Sequence, residues 1–236
     1  MITIRKSEER GHFDHGWLNT YHTFSFGAYS DPAHMGFRAL RVINQDRVAP
    51  GRGFGAHGHR DMEIFTYVLE GGLAHKDSTG ENHVLRPNEI QAMSAGTGVI
   101  HSEFNASQSE PVHLLQIWIL PAAEDVPPRY QQFGYDPSEK QNRLRLLVGP
   151  DQHPSEPAAF IYQDARAYAS VLAPGKTIEQ PIAPGRHAWV HCAQGNITLN
   201  GHELNGGDGA AISEEPALMI AGNGPTGGEF ILIDLA

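Results

Sequence analysis

Apolar residues along this chain fall in short runs between explicit turns, and no long stretch carries the one-sided stripe of an amphipathic helix. Leu40–Ile43, Ile64–Leu69, Leu73–Lys76, Leu114–Leu120, Leu144–Val148, Ala188–Cys192, Ile197–Leu199 and Phe230–Ile233 read as β-strands. Glu70-Gly71-Gly72, Ser78-Thr79-Gly80, Ala95-Gly96-Thr97-Gly98, Asn200-Gly201 and Asn205-Gly206-Gly207-Asp208 supply turns between them. Turns recurring at roughly 8–12-residue spacing predict an all-β sandwich or barrel. Residues 155–168, with Glu156, Ala158, Ala159 and Phe160, are the one segment with a helical lean.

The proline-rich, aperiodic stretch from Pro127 to Pro137 breaks this rhythm just after the strongest strand. A chain of 236 residues holds one large all-β unit or two of about 100–120 residues each. The break favours two domains, 1–133 and 134–236. A faint echo supports related halves: Pro184–His191, Gln194–Gly201 and Gly206–Gly209 repeat the first half's order of loop, His-bearing strand, turn and glycine-rich return. The echo lacks the first half's His-x-His and His-x-Glu, so a metal site is expected in the N-terminal domain and not in the C-terminal one.

Composition narrows the function classes. A formal charge of -10 argues against direct nucleic-acid binding and against anionic membrane surfaces. Cys192 is the only cysteine, so one chain can form neither a disulfide nor a thiolate metal cluster. Charges fill Met1–Arg10 where a secretory signal needs an apolar core, and the densest apolar run falls far short of the ~20 residues that span a bilayer. A cytoplasmic protein with no membrane role is expected.

Two short elements carry the chemistry: His57-Gly58-His59 and His101-Ser102-Glu103. Both read as strand, where residues i and i+2 point to the same face. Three imidazoles and one carboxylate aimed into a common space suit a divalent transition metal and leave positions free for water, O2 or substrate. Gly51, Gly53 and Gly55 allow the tight backbone that a ligand-bearing mouth needs. Fourteen histidines make a chance His-x-His less surprising, but its pairing with His-x-Glu behind Gly96-Thr97-Gly98 outweighs that reading.

These residues resemble a known pattern. Gly51, His57-x-His59 and Glu63 are similar to the first cupin motif, and Gly98, His101 and Asn105 to the second. More narrowly, Arg10-Gly11-His12, Asp14–Leu18, His22–Phe26, Gly36–Asn44, His57–Glu63 and Met93–Glu103 resemble the pirin family, strongly over about residues 1–130. Glu70 and Gly96 depart from the general cupin pattern and agree with the pirin version.

The resemblance implies an all-β bicupin, two antiparallel jelly-roll-like barrels packed face to face, with one metal in the N-terminal barrel. Carried over by motif, the ligands are His57, His59, His101 and Glu103. Glu63 fills the slot that supplies the carboxylate in many other cupins, and is expected not to ligate here. The implied ion is divalent, Fe(II) first, with Ni, Co, Cu, Mn and Zn also admitted. Bacterial members are similar to quercetin 2,3-dioxygenases, which implies a small aromatic substrate such as a flavonol, together with O2. Glu103 is the expected general base. A eukaryotic member acts as a transcriptional co-regulator, so a regulatory binding protein with a protein partner and no turnover is the alternative, and a metal-dependent isomerase or hydrolase a third.

Other residues receive blander readings. His22 is in phase with Phe24 and Phe26 and is expected as a core histidine satisfied by backbone rather than a pocket residue. His113 shares a face with Leu115, Ile117 and Ile119 and reads as core; His12 and His15 are given no role; Cys192 reads as a buried, inert thiol. Phe24, Phe26, Phe37 and Phe54 are expected to wall the pocket.

Overall fold

The computed structural model describes residues 1–236, in which antiparallel pairing dominates. The first half contains β1 (Ile2–Arg5), β2 (Gly11–Asp14), β3 (Leu18–His22), β4 (Leu40–Val48), β5 (Gly53–His59) and β6 (Glu63–Glu70). β7 (Leu73–Asp77), β8 (Asn82–Leu85), β9 (Glu89–Ser94), β10 (Val99–Asn105), β11 (Val112–Ile119) and β12 (Arg129–Gly134) follow. Then come β13 (Arg145–Gly149), β14 (Ala159–Phe160), β15 (Ala165–Leu172), β16 (Thr177–Pro181) and β17 (His187–Leu199). β18 (His202–Asn205), β19 (Gly209–Ser213), β20 (Ala217–Gly222) and β21 (Gly228–Leu235) complete the chain.

β2 to β12 form two facing sheets, ordered β5-β10-β7-β8 and β12-β9-β6-β11-β4-β3-β2. The nine later strands, joined by β1, form a ten-stranded sheet around β19-β17-β21-β15-β13-β14. β1 crosses over: Ile2–Arg5 pairs with Gly209–Ile212 of β19 and so extends the later sheet. The sheets keep open edges at β5, β8, β2 and β12, so the lobes are jelly-roll-like sandwiches rather than closed barrels.

The helical lean at 155–168 is not realised. Ala165, Ala167 and Ala169 are fully buried on alternate positions of β15, a period of two that a helix cannot match. The expected runs at Ala188–Cys192 and Ile197–Leu199 belong to one thirteen-residue strand, β17. A register shift between Cys192 and Gln194, followed by Gly195 at φ 71°, bends it so that it serves two sheet segments.

The largest apolar cluster joins the lobes. Ile43, Phe65, Leu115, Ile117 and Ile119 from one sheet meet Ala167, Trp189, Ile231 and Ile233 from the other. The second lobe's own interior is filled by Val190, Cys192, Ile197, Leu204, Ile220, Phe230 and neighbours. Inside the first lobe the apolar residues split into two small clusters, around Val48, Leu73 and Leu114 and around Ile64, Met93 and Val99. The space left beside them is where the polar chemistry sits.

Candidate metal centre

β5 and β10 are neighbours, and their register sets His101 directly opposite His57. The register then slips, so that Glu103 pairs with Phe54. Such a bulge locally re-aims side chains and is common beside active sites. Gly53 makes the close approach feasible, because a Cβ there would run into the Glu103 carbonyl oxygen and the Phe104 Cα.

Potential ligand nitrogens of His57, His59 and His101 all lie within 4.8 Å of one another. His57 Nε2 and His101 Nε2 are 3.0 Å apart. Two nitrogens bound at right angles to one ion at ~2.1 Å would stand about 3.0 Å apart, so this spacing fits a shared cation. The His57 Nδ1–H donates to the Gly55 carbonyl at 2.8 Å, which leaves Nε2 as the free lone pair. Burial and the neighbouring imidazoles hold His101 down at about 3, and burial with His57 holds His59 at about 4. Both rings are therefore neutral, the form that ligates metals.

Glu103 is 3% exposed and stands to one side of this trio. It falls within 4.8 Å of His101 and His75, but does not form one such group with all three imidazoles. Gln116 Nε2 donates to its Oε2 at 2.7 Å, while Oε1 is buried with no partner. Burial pushes its carboxyl up to about 7. An unpartnered carboxylate oxygen beside clustered neutral imidazoles fits a cation that completes the set.

His75 escaped notice in the sequence. It pairs in register with Glu103 across β7 and β10, is almost wholly buried, and its Nε2–H donates to Asp77 Oδ2 at 3.1 Å. Gln91 Nε2 donates to its Nδ1 at 3.1 Å, so both ring nitrogens are committed and His75 acts as a wedge under His101. The available signal was its place in the Leu73–Lys76 run next to the His101 strand.

The trio and Glu103 line a cavity of about 240 Å³. Its apolar wall includes Phe13, Phe26, Phe54, Ile64 and Trp118; its polar wall has Thr20, His22, Asn44, Asp46 and Gln116. His22 thus lines the cavity, and its Nδ1 is 2.7 Å from the Asn44 side-chain oxygen rather than bound to backbone. His15 also lines it. Phe24 and Phe37 are not walls: both turn away to pack on Trp189 of the second lobe. Glu63 is fully buried and stands outside the imidazole trio, accepting from Ser94 Oγ at 2.7 Å. His113 is buried, but against the Gln45 and Gln194 amides rather than in an apolar cluster, and the buried Cys192 thiol is pushed up to about 12 by burial.

A Pirin family model matches residues 3–119, and one described as the quercetinase C-terminal cupin domain matches residues 146–235. A quercetin 2,3-dioxygenase of Escherichia coli K12 is 44% identical over 235 residues, covering 100% of this chain and 99% of that protein. The chain belongs to the pirin family. The crystal structure of the bacterial pirin YhhW from Escherichia coli in complex with nickel(II) superposes on this pirin with a TM-score of 0.91. That structure shares 43% identity, covering 100% of this chain and 99% of the other. A putative quercetin 2,3-dioxygenase of Mycobacterium tuberculosis H37Rv is 39% identical over 228 residues, 95% of this chain and 92% of its own. No helix of this pirin is long and apolar enough to cross a membrane.

Proposed function

We propose that this pirin is a metal-dependent dioxygenase that opens the ring of a flavonol such as quercetin with O2. The observation that carries this reading is the placement of three neutral imidazoles and an under-bonded carboxylate in a cavity with one aromatic wall. His57, His59, His101 and Glu103 would hold the ion, with Fe(II) as the first choice among the divalent transition metals. When bound, the ion supplies Lewis-acid polarisation and a common meeting point for substrate oxygen and O2.

The chain's own groups do the rest. Glu103, whose carboxyl burial pushes up to about 7, accepts the proton of the substrate's enol hydroxyl, while Gln116 holds Oε2 still. Phe26, Phe54 and Trp118 stack against a flat ring and exclude water. His22, Asn44 and Thr20 offer polar partners to hydroxyls on the far side of that ring. A chain whose one cysteine is buried needs no oxidising compartment, in keeping with a cytoplasmic enzyme.

Oxygen uptake with quercetin, using protein loaded in turn with Fe(II), Ni(II), Co(II), Cu(II) and Mn(II), tests the reading. Turnover with at least one ion, lost in His57→Ala, is expected. Absence of turnover with every ion, alongside wild-type metal content, would sink it.

A further inference from the structure

The wall of the metal cavity has a second face. Thr20, His22, Asn44 and Asp46 point from β3 and β4 into that cavity, so strand alternation turns Asn19, Tyr21, Gln45 and Arg47 the opposite way. There, with His113 in register beside Arg47, they line a separate cavity of about 200 Å³. Ser7 and Arg10 from the segment after β1, and Gly206 of the second lobe, close it. No acidic residue lines it, in a chain whose net charge is -10.

Arg10 is 6% exposed, and its guanidinium lies 5.0 Å from the Tyr21 ring centroid. Its Nη2 donates to Ser7 Oγ at 3.0 Å and Gln45 Oε1 at 3.2 Å, both uncharged, while Nε and Nη1 are buried without partners. Burial lowers it only to about 10, so it stays charged at neutral pH. Asp46 and Asp208 attract Arg10 at a distance, but neither hydrogen-bonds to it, and Asp46 faces the metal cavity. Asp208 accepts from Lys6 Nζ at 2.9 Å and the Ser7 amide at 2.7 Å; Glu70 faces Arg47 at 3.7 Å and accepts from Gln194 at 2.9 Å. A buried cation with unspent N–H groups is costly unless a counter-charge joins it.

We propose that this inter-lobe cavity binds a phosphate group. The Arg10 and Arg47 guanidiniums, the Ser7 and Tyr21 hydroxyls and the Asn19 amide offer more donors than the two oxygens of a carboxylate accept, and match a tetrahedral dianion. Both free inorganic phosphate and a phosphate monoester present that chemistry. Occupancy ties the Ser7–Arg10 segment and Gly206 to the rear of the sheet whose front walls the metal cavity.

The test is calorimetric titration of the metal-loaded protein with inorganic phosphate at constant ionic strength, with acetate and glycerol phosphate in parallel. One site per chain is expected, unaffected by His57→Ala and at least ~10-fold weaker in Arg47→Glu and Asn19→Asp, where a like charge faces the ligand. Arg10→Met should abolish binding; if that variant does not fold, the other two decide. Tighter binding of the monoester assigns it as ligand, and equal or weaker binding assigns free phosphate. No heat with either phosphate, acetate binding as tightly, or a site lost in His57→Ala yet intact in Arg47→Glu would overturn the proposal.

Discussion

At the scale of single residues, the site depends on which protonation states burial enforces. His59 and His101 stay neutral down to about 4 and about 3, whereas Glu103 holds its proton up to about 7. A cation that claims the Glu103 carboxylate must therefore expel a proton below pH 7 and need not above it. Metal affinity should be flat above about pH 7.5, approach a fall of one log unit per pH unit between about pH 6.5 and 5, and steepen near pH 4. A competition titration across that range checks it, and a flat profile down to pH 5 would contradict the role of Glu103. Outer-sphere partners of metal ligands are worth about 10–100-fold in affinity, so His101→Ala should exceed ~100-fold, while Gln91→Leu, one step further out behind His75, should stay below it. Glu103→Gln, which cannot accept a proton, should cut kcat by about 10²–10⁴. The gathering of His57, His59 and His101 was legible from two i, i+2 pairs; the place of His75 under His101 was not, because it comes from a cross-strand neighbour rather than from its own sequence context.

Among the elements, strands with dense branched and aromatic side chains were legible, and edge strands were not. β6 and β11 are buried on nearly every position and announce themselves; β5 carries three glycines and half-exposed positions, and reads as strand only through its histidines. The helical lean at 155–168 misled because small alanines serve close sheet contact as readily as helix. Gly53 is where β5 depends most on one residue. Gly53→Val should force β5 away from β10, lower stability by about 1–3 kcal/mol and release the ion with the overall strand content retained. Thermal melts with circular dichroism and metal analysis read both effects, and full metal retention would contradict the backbone account.

For the whole molecule, the lobes are held by a shared core and by a buried polar knot that no local pattern foretold. Lys140 Nζ reaches Tyr67 Oη at 2.7 Å and Glu229 Oε1 at 2.6 Å, linking residues far apart in sequence. Lys140 and Glu229 are both largely shielded, so Glu229→Leu alone should cost about 3–5 kcal/mol by stranding the ammonium. The Lys140→Met/Glu229→Leu pair should recover most of it in denaturant unfolding, and equal losses in single and double variants would refute the coupling. The crossing of β1 into the later sheet was equally hidden, since strand pairing across the whole chain length leaves no trace in a local window. Two lobes were legible; which strands each lobe owns was not.

Anomalous diffraction at the absorption edge of the loaded ion, on crystals of the reconstituted protein, addresses the central claim most directly. The account predicts one strong peak per chain, within bonding distance of His57, His59, His101 and Glu103. A peak anywhere else, or bonding to the imidazoles with Glu103 left aside, would contradict it.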